Sequence, residues 1–538
     1  MAQDITADVL IIGTGVAGAL AGAKLAGRGL SVAFLEAGKR IERFEAVERF
    51  WAAKIKVPES AYPNDPAASH PESHKPEAFY QQTGPELFRS TYVKVVGGTT
   101  WHWLGTTLRN LPSDFQLQTL YGRGADWPLS YDDLEPFYQA AEEEIGVAGD
   151  SAEDLGSPRS GGFPMGPIPM TYLDKHFAER LEGTRFKVSA TPQARNSTFW
   201  GDRPECCGNA SCIPVCPVQA KYDATVHVAH AEAAGAVVHA ETTATRLELG
   251  QDGRIASVAF RRADGSTGRA TGKVIVVAAH GIETPRLLLN SAQEGAPNGI
   301  ANSSDQVGRY LMDHPIRLSW AEAAEPVWPY RGPLSTSGIE NLRDGSFRSE
   351  RGAFRIEIGN DGHSWPTGAP GTTAAKLAQE GLRGGELDAR LKDVTSRQIR
   401  LASLVEQSPD PENRVTLDPD KKDANGVPLP RIHFSLDEYT RSGLQAAEAA
   451  HEEVFAAIGA QNVQHSPDAQ GAGHIIGTVR MGQDAATAVV DADLRSFDHP
   501  NLFLLGSGTF PTSATANPTL TIAALSLRAV DAIAASVS

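Results

Sequence analysis

Apolar positions along the 538 residues fall into two patterns. Short, unbroken apolar runs predict buried strands of a parallel sheet, and wider amphipathic stretches predict helices that cover it. The first run, Ala7 to Ile12, passes through Gly13, Gly15 and Gly18 into Ala19–Arg28, where small and apolar residues recur with helical spacing. Ser31–Leu35 then predicts a second strand, which ends in Glu36. A later block, 224–290, repeats this logic. It predicts a helix over Val226–Ala234, a strand at Ala236–Glu241, and a meander of Ala244–Leu249, Ile255–Arg262 and Ser266–Thr271, followed by a separate buried strand at Lys273–Ala279.

Elsewhere the periodicity changes. Leu318 to Ser466 alternates as an antiparallel sheet would, with a helical insert near Ala374–Arg400 and a long amphipathic helix over Asp437–Ile458. Helices are also predicted over Leu134–Ile145, with Glu142, Glu143 and Glu144 on a solvated face, and over Tyr172–Leu181, with Ser189–Arg195 extended. Residues 40–90 show little periodicity, and Gly156–Pro169 is a loop dense in Gly and Pro. The length favours two domains.

Charge and cysteine usage narrow the class. A net charge of -16 argues against nucleic acid or an anionic membrane as partner. No window holds the 18 or more apolar residues of a spanning helix, and Met1–Thr6 has no apolar core of a signal peptide, which taken alone predicts the cytoplasm. All 4 cysteines fall between Cys206 and Cys216, a clustering that points to local metal chemistry before a disulfide framework.

The order strand, Gly-x-Gly-x-x-Gly, helix, strand, acid is that of a dinucleotide site. Gly13 makes the tight turn, Gly15 admits a pyrophosphate, Gly18 lets helix pack on strand, and Glu36, about 20 residues on, accepts from a ribose hydroxyl. The motif alone leaves FAD and NAD open.

A second glycine segment, Val93–Trp103, contains Gly97, Gly98, Thr99 and His102. Here the sequence resembles the glucose-methanol-choline (GMC) oxidoreductases, FAD enzymes in which this segment runs along the isoalloxazine ring. Asp126–Leu129 with Tyr131–Tyr138, His280–Ala292, Asn413–Leu417, and the C-terminal segments Gly471–Gly482, Asn501–Gly508 and Ala514–Thr521 also match. The resemblance implies an α/β fold: a Rossmann-like FAD-binding domain (1–55, 88–160, 224–317, 467–538) interleaved with an α+β substrate domain on an antiparallel sheet (56–87, 161–195, 318–466). It also implies an insertion at 196–223, and a histidine at position 102 that in some branches is joined covalently to the flavin.

The same resemblance places the catalytic histidine at His474. A neutral imidazole suits removal of a hydroxyl proton while hydride leaves the carbon, with Asn517 holding that hydroxyl in line. Gly506 and Ser507 turn near the flavin. The helix opening at Pro518 and Thr519 directs its N–H groups at the flavin pyrimidine. His314 is read as a structural residue bordering the site.

The spacing of Cys206, Cys207, Cys212 and Cys216 suits an iron–sulfur cluster, with zinc and disulfides as alternatives. Flanking residues 192–197 and 212–220 resemble the catalytic large subunits of bacterial FAD-dependent sugar and sugar-acid dehydrogenases. That likeness implies a [3Fe–4S] cluster on Cys206, Cys207 and Cys212, with Cys216 the spare. It further implies a small chaperone-like subunit that carries the chain to the periplasm, a multihaem cytochrome c as acceptor, and dehydrogenase rather than oxidase chemistry. Two departures stand out: Gly473 occupies a place where sugar-dehydrogenase members have asparagine, and Arg480 replaces an apolar residue. Substrates therefore stay at the level of a sugar, glycoside, polyol or sugar acid. The alternatives are an oxidase of the same fold and a non-catalytic flavoprotein scaffold.

Overall fold

A computed structural model describes residues 4–53 and 79–537; much of the segment assigned by sequence to 56–87 lies outside the described residues. Two large sheets organise the chain. In the first, the strand order is Val237–His239, Val32–Leu35, Ile5–Ile12, Thr267–Val277, Ile255–Arg262, Thr242–Leu249, with Leu502–Leu504 also paired to Thr267–Val277. The strands around Ile5–Ile12 are parallel, in register Val9 with Val32 and Val274, and the far edge is an antiparallel meander. The apolar runs face helices on both sides: Leu10, Ile11, Val276, Leu20, Leu25, Leu520 and Ala524 share one core.

One difference from the sequence reading lies in this sheet. Ser266–Thr271 and Lys273–Ala279 are not two strands but one, Thr267–Val277. Its first part, Thr267–Ala270, pairs with Ile255–Arg262, and Ala270–Val277 runs beside Ile5–Ile12, so the two ladders meet at Ala270 and the strand continues unbroken through Gly272.

The second sheet is antiparallel, in the order Gln461–His465, Pro315–Glu322, Gln398–Val405, Phe354–Gly359, Ser337–Ile339, Val188–Ala190, with Gln470–Gly471 also on Pro315–Glu322. Period-2 alternation sends Ile356, Ile358, Ile399 and Leu401 to one face, where Leu444, Ala447, Val454 and Phe455 of the helix Glu438–Ala457 cover them. Arg400, Ala402 and Leu404 go to the other face. The predicted insert ends earlier than expected. It forms helices Gly371–Gln379 and Gly384–Thr395, and Gln398–Arg400 already belongs to a strand, where ladder pairing with Ala321 and Trp320 overrides helical spacing. Within 40–90, Arg43–Ala52 is a helix.

The helix Tyr131–Ile145 corrects a second expectation. Glu143 is exposed, but Glu142 is fully buried. Its carboxylate accepts from Arg109 Nε at 2.9 Å and from Arg159 Nη2 at 2.5 Å, and Glu144 pairs with Lys24 and His227. Three successive glutamates cannot share one helical face, and cations on neighbouring segments claim two of them.

Candidate active site

A cavity of about 1420 Å³ opens between the two sheets. Its walls include Gly13, Gly15, Glu36, Gly98, Thr99, His102, His474, Gly506, Ser507, Asn517, Pro518 and Thr519. Gly18 and Gly97 stand just behind that lining, as packing residues. At Gly13, φ is +102° and an added Cβ would stand 2.4 Å from the Ala278 carbonyl, so turn and close approach both demand glycine. At Gly15, which precedes the helix Val16–Gly27, nothing lies within 4 Å of where a Cβ would stand. That open space in front of free helix N–H groups fits a pyrophosphate.

Glu36 is tied down by protein donors. It accepts from Thr14 N at 3.0 Å, Thr14 Oγ1 at 2.6 Å and Gly38 N at 2.8 Å. Burial raises its carboxyl above the usual carboxylate range, against the pull of those hydrogen bonds. A carboxylate accepts about four hydrogen bonds, so capacity for a ribose hydroxyl remains. Thr14 Oγ1 also accepts from Gly97 N at 3.1 Å, which fastens the two glycine segments together.

His474 and its surroundings form a connected network. His474 follows the short strand Gln470–Gly471; its N–H donates to Asp313 Oδ1 at 3.0 Å, and His314 N donates to the same oxygen at 2.7 Å. Ser90 Oγ donates to the other Asp313 oxygen and accepts from Gly473 N. Burial pushes the Asp313 carboxyl up to about 7. The imidazoles of His474 and His314 meet nearly at right angles, with Nδ1 atoms 2.8 Å apart. His314 Nε2 lies 2.9 Å from the Ala514 carbonyl, which only accepts. The network therefore assigns the His314 proton to Nε2, makes His314 Nδ1 an acceptor, and puts the His474 proton on Nδ1. His474 Nε2 is thereby left unprotonated, its lone pair accepting from Asn517 Nδ2 at 3.3 Å. Burial, then the charge of a protonated His314 or of Arg355, holds His474 well below the ordinary imidazole range, and burial lowers His314 to about 4. His314 thus stands directly against His474, behind the cavity wall.

On the other side, Ser507 Oγ donates to the Ile475 carbonyl at 2.5 Å and its own carbonyl accepts from Gly477 N and Phe510 N, so only its backbone N–H is left for a ligand. Gly473 has φ +75° and no atom within 4 Å of a Cβ position, leaving room beside His474. Arg480 lies outside the cavity lining, stacked 3.6 Å over Tyr310.

The cysteines stand on one loop, Cys212 buried and Cys207 exposed. Among the described residues, no group of three or more His, Cys, Asp or Glu side chains is gathered closely enough to hold a metal ion. The loop's own residues Ala210, Ile213 and Pro214 nevertheless wall the cavity. Burial raises the Cys206 thiol, and the nearby Arg195 guanidinium lowers it. Arg195 is 1% exposed, and its Nε and Nη1 have no partner. A buried cation without an anion beside thiols matches the donor chemistry of an anionic thiolate cluster, although the ligand set is not closed in this arrangement.

Sequence reasoning missed Lys221. Its N–H donates to Cys216 Sγ at 3.4 Å, while its fully buried ammonium donates to the carbonyls of Thr100, Trp101 and Trp103 at 3.4, 2.9 and 2.6 Å. Burial lowers it to about 8. A lone lysine after the cysteine run carried no pattern to single it out.

Comparison with known proteins agrees with this geometry. GMC oxidoreductase family models match residues 181–316 and 409–526. The chain is 39% identical to the fructose dehydrogenase large subunit of Gluconobacter japonicus, over 99% of this chain and 98% of that one. It is 27% identical to the 2-methyl-1,2-propanediol dehydrogenase of Mycolicibacterium austroafricanum, over 98% and 95%. Among solved structures, a pyridoxine 4-oxidase from Mesorbium loti shares the fold, with a TM-score of 0.66 at 17% identity and 98% coverage of both chains. The chain belongs to the GMC oxidoreductase family and is an FAD-dependent oxidoreductase acting on CH–OH groups of its donors.

Proposed function

We propose that this chain is the catalytic subunit of a dehydrogenase that oxidises a hydroxyl of a sugar, glycoside, polyol or sugar acid. The observation that carries the chemistry is the unprotonated Nε2 of His474, its tautomer fixed by His314 and Ala514 and its lone pair held by Asn517 Nδ2 in the cavity. The full-length likeness to a fructose dehydrogenase large subunit supports the substrate class and a multi-subunit assembly.

FAD, when bound, supplies the two-electron acceptor. Gly13, Gly15 and Glu36 would hold its nucleotide side, and Gly98, Thr99, Gly506, Ser507, Pro518 and Thr519 its ring side. His102, on the cavity wall, is the attachment point if the flavin is covalent; flavin that stays with acid-precipitated protein tests this. In the reaction, Asn517 Nδ2 turns from His474 to the substrate oxygen and holds it in line. His474 Nε2 takes the hydroxyl proton. Asp313 fixes the backbone of both histidines, and the N-terminus of Thr519–Ala535 favours negative charge developing opposite it.

Cys206, Cys207 and Cys212, with Cys216 in reserve, would hold a [3Fe–4S] cluster, a centre that carries electrons singly. The partnerless Nε and Nη1 of Arg195 beside the thiols and the cavity-walling loop support an anionic thiolate cluster here. The same reading makes a cytochrome c the acceptor and a signal-bearing small subunit the route to the periplasm. Anaerobic mixing with hexoses, glycosides, polyols and aldonates tests the main proposal: bleaching of the flavin by a member supports it, and a flavin that none bleaches overturns it. Rapid peroxide formation in air would favour an oxidase.

A further inference from the structure

The face of the antiparallel sheet turned to the cavity carries a charged group that the proton-transfer network does not use. Glu357 points there from Phe354–Gly359, with Ala402 and Gly338 as its cross-strand neighbours. With the small side chain of Ala402 beside it, Glu357 lines the cavity wall. Two inward positions on this face lie about 7 Å apart along a strand, so Glu357 stands one step from the row of Leu404, Ile316 and Gln470 that leads to His474.

Two guanidiniums back this carboxylate at loose distances, Arg400 Nη2 at 3.6 Å and Arg355 Nη1 at 3.8 Å. Both arginines are at least nine-tenths buried, and the Nη1 atom of each has no hydrogen-bond partner. Their other nitrogens are spoken for: Arg400 Nε donates to Asp361 at 2.8 Å, and Arg355 Nε donates to Glu340 at 3.0 Å. Unpaired buried donors beside an open acceptor describe a site that lacks its third party. Trp365, packed with Ile316, Leu318, Ala402 and Leu404, provides an apolar wall.

We infer that Glu357 and Arg400 form a recognition subsite for a hydroxyl of a neutral, polyhydroxylated substrate, and that it discriminates against sugar acids. This rests on the carbohydrate reading above and narrows it. A hydroxyl donates to Glu357 and accepts from a guanidinium at once; a carboxylate only accepts. Moreover, Arg355 and Arg400 are already engaged by Glu340 and Asp361, while Glu357 itself lines the cavity. An incoming carboxylate therefore meets the Glu357 carboxylate in a buried setting, where like charges cost most.

The test is stopped-flow flavin reduction in the holoenzyme with a matched hexose and its aldonate. The wild type is expected to favour the hexose at least tenfold in kcat/KM. Glu357→Gln is expected to raise KM for the hexose more than it lowers kcat, and to narrow the hexose-to-aldonate ratio at least tenfold. Arg400→Lys, which keeps the charge and loses the planar fork, reads the same ratio if Glu357→Gln does not fold. A preference for the aldonate or for an amino sugar in the wild type overturns the inference, as does an unmoved ratio in the variants. Those results leave the carbohydrate reading standing; a flavin that no carbohydrate bleaches removes both.

Discussion

His474 and His314 share one proton between Nδ1 atoms 2.8 Å apart, and the Ala514 carbonyl decides which ring carries it. Replacing His474 by Ala is expected to slow substrate-driven flavin reduction by about 10²- to 10⁴-fold, the worth of a general base. His314→Leu removes only the tautomer lock. It should lower kcat about tenfold or more with KM little moved, and shift the acid limb of the pH profile, because His474 Nδ1 loses its acceptor. Identical pH profiles for wild type and His314→Leu would reduce His314 to packing.

Burial holds His474 well below the ordinary imidazole range, so the base stays unprotonated as pH falls through 6.5. The kcat/KM for flavin reduction is therefore expected to keep its neutral-pH plateau at pH 6, where a free imidazole would already be mostly charged. An acid limb centred at or above 6.5 would show that the site does not shift the histidine as its surroundings require.

Lys221→Met keeps the length and apolar stem of the side chain but strips the donor from three buried carbonyls. The expected cost is about 1–3 kcal/mol, read as a lower Tm, together with loss of flavin during gel filtration. Unchanged flavin retention would separate the lysine from the cofactor segment.

Glu142 compensates buried Arg109 and the partly exposed Arg159, and Glu142→Ala leaves Arg159 without its anion and Arg109 with Glu135 alone. About 3–5 kcal/mol of destabilisation is expected, measured by chemical denaturation, whereas Glu143→Ala on the exposed side should change little.

Iron and acid-labile sulfide, measured on protein purified without oxygen, address the cysteine loop. Three irons per flavin are expected, falling on Cys206→Ser and much less on Cys216→Ser. Zinc without iron would refute the cluster.

The first βαβ unit was legible because apolar run, glycines and acid follow one another within local sequence. The long helix Glu438–Ala457 was legible through its period. What the sequence concealed depends on pairing between distant segments. Nothing local distinguishes Glu142 from Glu143; Arg109 and Arg159 do. Nothing around Lys221 or Glu357 announces a donor clamp or an open carboxylate, since the partners at Thr100–Trp103, Ala402 and Gly338 are brought up only by the fold. The strand Thr267–Val277 was split in two for a related reason: its antiparallel and parallel neighbours impose different patterns on its two halves.

The strand Leu502–Leu504 slots in beside Thr267–Val277, and both His474 and Asn517 belong to the same closing stretch of chain. During synthesis the glycine turn near residue 13 is made long before its opposite wall. A nascent chain can shape a nucleotide cradle well before His474 or the lining of the flavin ring exists. Productive cofactor capture is thereby expected to wait until the segment around Asn517 has been made.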